Sequence, residues 1–146
     1  MDFKTLFFSW NGRSARKPYW VGIVAVELLA FVLSFVFALA RLGEAGTLLA
    51  ALIMAYPRIC VISKRFHDFN RSGWWQVLPN ILGTMATRGA QAMAGIGGNL
   101  ALAGFLYILA VVIEFGFLIW LGSVKGQPRT NDFGPPPGQA DVVEVF

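Results

Sequence analysis

The sequence predicts an all-α, multi-pass transmembrane helical bundle of four spans. Both termini are expected on the cytoplasmic side, with a short N-terminal segment at the interface. Three observations predict this. First, apolar residues make up 56% of the 146-residue chain and charged residues only 14%. A typical soluble domain carries about 25% charged residues, so too little polar surface remains to cover a water-soluble globule. Second, the apolar residues fall in runs long enough to cross a hydrocarbon core of roughly 30 Å at about 1.5 Å per residue. Third, the cations gather at alternate ends of those runs. Lys4, Arg13, Arg16 and Lys17 precede the first; Lys64, Arg65 and Arg71 lie between the second and third; Lys125 and Arg129 follow the fourth. The opposite loops hold only Arg41 and, at the edge, Arg88. By the positive-inside rule both termini and the centre of the chain are cytoplasmic, which requires an even number of spans.

Residues 1–18 read as an interfacial segment and a turn. Phe3, Leu6, Phe7, Phe8 and Trp10 form an apolar stripe that suits the headgroup plane, and Asn11-Gly12 ends it. Arg16-Lys17-Pro18-Tyr19-Trp20 is a basic anchor followed by a proline at a helix start and an aromatic pair. The first span is 19–42, and its internal charge is Glu27. A tight connection with two glycines, Gly43 and Gly46, leads to the second span, 47–64, which contains Pro57 and Arg58. That span is short, so Lys64 and Arg65 are expected to snorkel to the surface.

The run from Trp74 to Ala86 is apolar but brief. A third span over 72–93 is favoured, with a short re-entrant piece as the alternative. Ala86, Ala90, Ala94 and Gly98 have a small-xxx-small spacing that permits close helix approach. The fourth span is 99–122, with Glu114 inside it. Residues 123–146 form a cytoplasmic tail rich in Gly and Pro, so 1–122 is the transmembrane domain. The terminal Val142–Phe146 stretch is expected to be a mobile end.

The densest cluster of ionisable groups is Lys64-Arg65-Phe66-His67-Asp68-Phe69-Asn70-Arg71-Ser72-Gly73-Trp74-Trp75. Arg65-Phe66-His67-Asp68 followed by Arg71-Ser72-Gly73-Trp74-Trp75 resembles the signature of the bacterial "domain of unknown function 805" membrane family. Gly12-Arg13, Arg16 and Tyr19-Trp20 are similar to that family's entry motif. Asn131, Phe133-Gly134 and Pro137 resemble its closing motif. Lys64 and Phe66 depart from the pattern, and the distance from Trp75 to Asn131 is longer than usual. The resemblance covers nearly the whole chain. It implies an integral protein of the bacterial cytoplasmic (inner) membrane and implies no activity.

Three sets of residues are candidates for function. Arg13, Arg16, Lys64, Arg65 and Arg71, with Lys17, form a basic patch suited to an anionic lipid headgroup, because Arg recognises phosphate bidentately. The bland alternative is a topology signal alone. His67, Asp68, Ser72, Gly73, Trp74 and Trp75 are expected to be structural. Asp68 either caps the next helix or pairs with an Arg, and His67 bonds a loop carbonyl. Adjacent residues on a helix point about 100° apart, so His67 and Asp68 are no acid/base dyad by adjacency. The single cysteine, Cys60, excludes an internal disulfide and a Cys-based zinc site. No catalytic residue, metal site or cofactor is assigned. Trp10, Tyr19, Trp20, Trp74 and Trp75 match an aromatic belt.

The third set is Glu27, Arg58 and Glu114. Glu27 lies seven residues past Trp20, Arg58 six before Lys64, and Glu114 seven before Leu121. All three fall about 10 Å below one surface at 1.5 Å per residue, so a buried cluster with Arg58 between two carboxylates is expected.

These readings rank a non-enzymatic interaction or scaffold protein first. Its partners are anionic membrane lipid, a second copy or another membrane protein, and not nucleic acid, because the cations sit at the ends of apolar runs. A small oligomeric transporter or channel subunit using the Glu/Arg cluster is second. A membrane enzyme acting on a phosphorylated lipid through His67 and Asp68 is last.

Overall fold

The computed structural model describes residues 3–138. The terminal stretch Val142–Phe146 lies outside the described residues. Every regular element among the described residues is helical: α1 Phe3–Phe8, α2 Arg16–Leu39, α3 Gly43–His67, α4 Val77–Gly95 and α5 Leu100–Ser123, with a 3-10 turn at Gly73–Gln76. Three of these, α2, α3 and α5, are long and apolar enough to cross a membrane. The nineteen-residue α4 is a further helix outside that set.

The chain forms two compact units. The first contains α1, α2 and α3 together with the segment that begins at Lys125; the second runs from Trp74 to Val124. In the first unit α2 and α3 form a hairpin. Its connection is tighter than the sequence suggests, because Arg41 (φ 57°) and Gly43 (φ 56°) both take the left-handed conformation and turn the chain within a few residues. Helix α3 therefore begins at Gly43, not Thr47. Gly46 packs on α2: a Cβ there would fall 2.7 Å from Phe37 Cβ. The last two turns of α3, from Cys60 to His67, are buried on all sides. This corrects the expectation that Lys64 and Arg65 snorkel outward.

In the second unit α4 and α5 form a hairpin of their own. Gly97 (φ 66°) makes the turn, and Asn99 caps α5 by accepting from the amides of Ala101 and Leu102 at 2.9 and 3.2 Å. The contact between the helices is made at small residues. A Cβ on Gly89 would lie 3.4 Å from Leu106, and one on Gly83 3.7 Å from the Glu114 carboxylate. Of the expected Ala86/Ala90/Ala94/Gly98 row, Ala90 is the buried member.

Candidate functional site

The first unit gathers three stretches at the end where α2 begins and α3 finishes. These are residues 12–16, residues 64–71, and a strap over residues 125–134. Arg13 is the centre. Gly12 (φ 86°) turns the chain so that the Ser14 amide donates to the Lys64 carbonyl at 3.1 Å and fixes Arg13 against α3. The Arg13 guanidinium then uses its whole fork. Nε and Nη2 donate to Asp68 Oδ1 at 3.1 and 2.8 Å, and Nη1 donates to the carbonyls of Arg129 and Gly134 at 2.8 and 3.2 Å. Nη2 also reaches the Gln127 carbonyl. A lysine has one point charge where these contacts need a planar array of donors.

Asp68 is shared between two guanidiniums. Its second oxygen, Oδ2, accepts from Arg65 Nη1 at 2.7 Å. Arg65 is fully buried; it also donates to the Ser14 carbonyl at 3.1 Å and lies 4.7 Å over the Phe69 ring. Gly126 presses against the Asp68 carboxylate so closely that any Cβ would collide with it. The Gln127 amide donates to the Asp68 carbonyl at 2.9 Å.

His67 binds the strap by its ring. Nδ1 faces the Gly12 carbonyl at 3.0 Å. A carbonyl only accepts, so Nδ1 carries the proton. The imidazole stacks on Phe133 with centroids 3.8 Å apart and planes 4° apart. Asn131 Nδ2 donates to the His67 carbonyl at 2.9 Å, and Asn131 Oδ1 accepts from the Phe133 amide at 3.0 Å. Asn70, in the left-handed conformation at φ 58°, accepts from the Asp132 amide at 3.2 Å. Lys64 turns the other way: its Nζ donates to the Leu6 carbonyl at 3.0 Å and to the Thr5 carbonyl.

The expected residues thus separate. Arg13, Lys64 and Arg65 point inward onto protein acceptors, whereas Arg16 and Arg71 are exposed. Asp68 pairs with arginines and does not cap the following helix. Gly73 packs on Ser63, where a Cβ would collide; Ser72, Trp74 and Trp75 are exposed. Tyr19 is buried and meets Trp20 edge-on at 5.5 Å, so it is not a belt residue. Among the described residues no hydrogen bond joins His67 to Asp68, and no buried side-chain nitrogen or oxygen lacks a partner. The roles of Gly126, Gln127 and the Phe133 ring were not anticipated. Their signal was the closing motif around Asn131, which meets the central motif here.

Deeper along the hairpin, Arg58 Nε donates to Glu27 Oε1 at 2.9 Å. The pair is incompletely covered, with side-chain exposures of 22% for Arg58 and 49% for Glu27. Glu114 belongs to the second unit, where it stands over Gly83.

The segments that meet in this clasp are those that carry the three sequence motifs. A family described as "Protein of unknown function (DUF805)" matches residues 7–135. The chain belongs to the DUF805 family. Among its relatives is the inner membrane protein YhaH of Escherichia coli K12, 30% identical over 77 residues. That match covers 49% of this chain and 64% of YhaH, so the chain spans less than two thirds of that relative. The uncharacterised protein YiiR of the same organism is 29% identical over 135 residues, covering 92% of this chain and 89% of YiiR. No solved structure matches the chain. Its membership and its three long apolar helices make this DUF805 chain a multi-pass inner-membrane protein.

Proposed function

We propose that the protein is a non-enzymatic interaction protein of the inner membrane whose basic face engages anionic lipid headgroups. The observation that carries this reading is how the charges divide. Arg13, Lys64, Arg65, His67 and Asp68 are buried against protein acceptors or one another, whereas Lys4, Arg16, Lys17, Arg71, Lys125 and Arg129 are exposed in the same unit. Each cation near an anionic leaflet contributes on the order of 1 kcal/mol. Asp68 held between two guanidiniums and His67 held on a carbonyl are both engaged, which argues against the enzymatic alternative built on these two residues.

The test is lipid retention. Protein extracted in mild detergent should carry anionic phospholipid in excess of its share of the membrane. Replacing Arg16, Lys17 and Arg71 together with Gln should lower that retention about tenfold or more, given three terms of roughly 1 kcal/mol. Unchanged retention in a folded variant rejects the reading.

A second reading rests on the Glu27–Arg58 pair. An ionisable pair well inside a spanning hairpin is a candidate ion or proton site. In a small oligomeric transporter this pair would lie on the transport path. Proteoliposome flux that is abolished by Glu27→Gln would favour this reading over the first.

A further inference from the structure

We propose that α1 is a wedge seated among the acyl chains of one leaflet, with Phe3, Phe8 and the following Trp10 as its lipid-facing ridge. This goes beyond headgroup binding and does not depend on it.

The level at which α1 is held carries the argument. Leu6 is the buried residue of this six-residue helix. Its Cδ2 lies 3.4 Å from where a Gly22 Cβ would be, and Val61 lies 3.1 Å from the same point. Leu6, Gly22 and Val61 therefore share one level. Gly22 is six residues inside the start of α2, and Val61 is six residues inside the end of α3. At 1.5 Å per residue that level is about 9 Å within both helix ends. The absent side chain at Gly22 makes the room that Leu6 fills. The contact with Tyr56 agrees: its Oη donates to the Phe8 carbonyl at 3.1 Å, and it lies one further turn and more along α3.

The treatment of the helix end points the same way. A short helix leaves its final carbonyls without intrahelical partners. In water those groups are solvated and need nothing from the protein. In hydrocarbon each must find a donor within the chain. Here three of the final four carbonyls of α1 have side-chain donors: Lys64, only 1% exposed, serves Thr5 and Leu6, and Tyr56 serves Phe8. A buried lysine without a carboxylate partner among its hydrogen bonds is an expensive way to cap a helix that water would cap.

The outer face of α1 fits the same surroundings. Phe3, Phe8 and Trp10 are 70%, 65% and 58% exposed, and the exposed Lys4 on the same helix has a stem long enough to carry its ammonium up to the headgroups. The outward residues of α2 and α3 near this level are Val21, Val24 and Ile59, which are apolar side chains of spanning helices. Acyl chains are the occupant that meets all six. This depth also matches the roughly 5–10 Å to which amphipathic interfacial helices sink.

The test reads the depth of Trp10. The full chain, with Trp20, Trp74, Trp75 and Trp120 replaced by Phe, is reconstituted into zwitterionic phosphatidylcholine vesicles carrying bromines at defined acyl positions. More than half of the Trp10 emission should be quenched by acyl bromines, and aqueous acrylamide should have little effect. Lys64→Met should move the emission toward the water-exposed pattern. If the fourfold variant does not fold, a nitroxide at Phe8→Cys in the Cys60→Ala background supplies the reading, with oxygen expected to collide far more often than a water-soluble nickel chelate. Quenching by acrylamide and not by bromines would place α1 on the surface and overturn the proposal. Quenching by neither would mean that protein, such as a second copy, covers the ridge, and would overturn it as well. The vesicles hold no anionic lipid, so none of these outcomes depends on headgroup binding.

Discussion

Arg13 and Asp68 are 55 positions apart and form a two-donor ion pair, with Nη2 2.8 Å and Nε 3.1 Å from the same carboxylate oxygen. The Arg13 fork also holds the carbonyls of Arg129, Gly134 and Gln127. One side chain thus ties the strap to the end of α3. Arg13→Lys keeps the charge and loses the fork. The strap should open locally without global unfolding. Limited trypsin digestion in detergent checks this: cleavage after Lys125 and Arg129 should speed up about tenfold or more, while the helical hairpins remain intact.

The strap also has a packing requirement. Gly126 has no room for a Cβ, because the Asp68 carboxylate occupies the position. Overpacking of this kind typically costs about 1–3 kcal/mol. Gly126→Ala should therefore lower the thermal midpoint in micelles, and Gly134→Ala, where the same atom meets open space but φ is 115°, should lower it through backbone strain instead. A Gly126→Ala midpoint equal to wild type would show that the strap is not seated on Asp68.

The Glu27–Arg58 pair gives a prediction with a sign. A lone charge within a span costs at least about 2.5–3.5 kcal/mol on the gentlest scale. Removing one partner strands the other, whereas removing both strands neither. Arg58→Leu should therefore destabilise the protein more than Arg58→Leu with Glu27→Leu. Unfolding midpoints in one detergent decide it, and the reverse order would remove the pair from the account.

Much of this was legible in the chain. The composition and the long apolar runs announced α2, α3 and α5, because hydrocarbon tolerates no open backbone and demands such runs. The motif residues were also legible as a set. Their direction was not. Lys64 and Arg65 at the end of an apolar run resemble snorkelling cations. They turn inward because α1, residues 12–16 and the strap bury the last two turns of α3 from every side, and no local pattern reports such long-range cover. The strap itself looked like a free Gly/Pro tail, since its attachment runs through backbone carbonyls that any sequence carries. Glu27 and Arg58 were readable from depth arithmetic alone, since hairpin helices place equal distances from one surface side by side.

The four-span topology with both termini inside is what the cation count predicts, and it is directly measurable. Glu44, in the first turn of α3, and Ile96, in the second hairpin connection, are exposed positions free of the strained φ at Gly97. In a Cys60→Ala background, Glu44→Cys and Ile96→Cys should both react with an impermeant thiol reagent added outside. A reporter fused after Phe146 should be active in the cytoplasm. Labelling of Glu44→Cys but not Ile96→Cys would replace a spanning α4 with a re-entrant one.

The central claim is that the family's motif residues hold this protein together from within. A double-mutant cycle on Arg13 and Asp68 tests it most directly, using Arg13→Gln, Asp68→Asn and the pair, with unfolding free energies measured in one micelle system. The account predicts a coupling above about 0.5 and up to about 3 kcal/mol, as for contacting partners in one network. Single-mutant effects that add to within about 0.5 kcal/mol would contradict it.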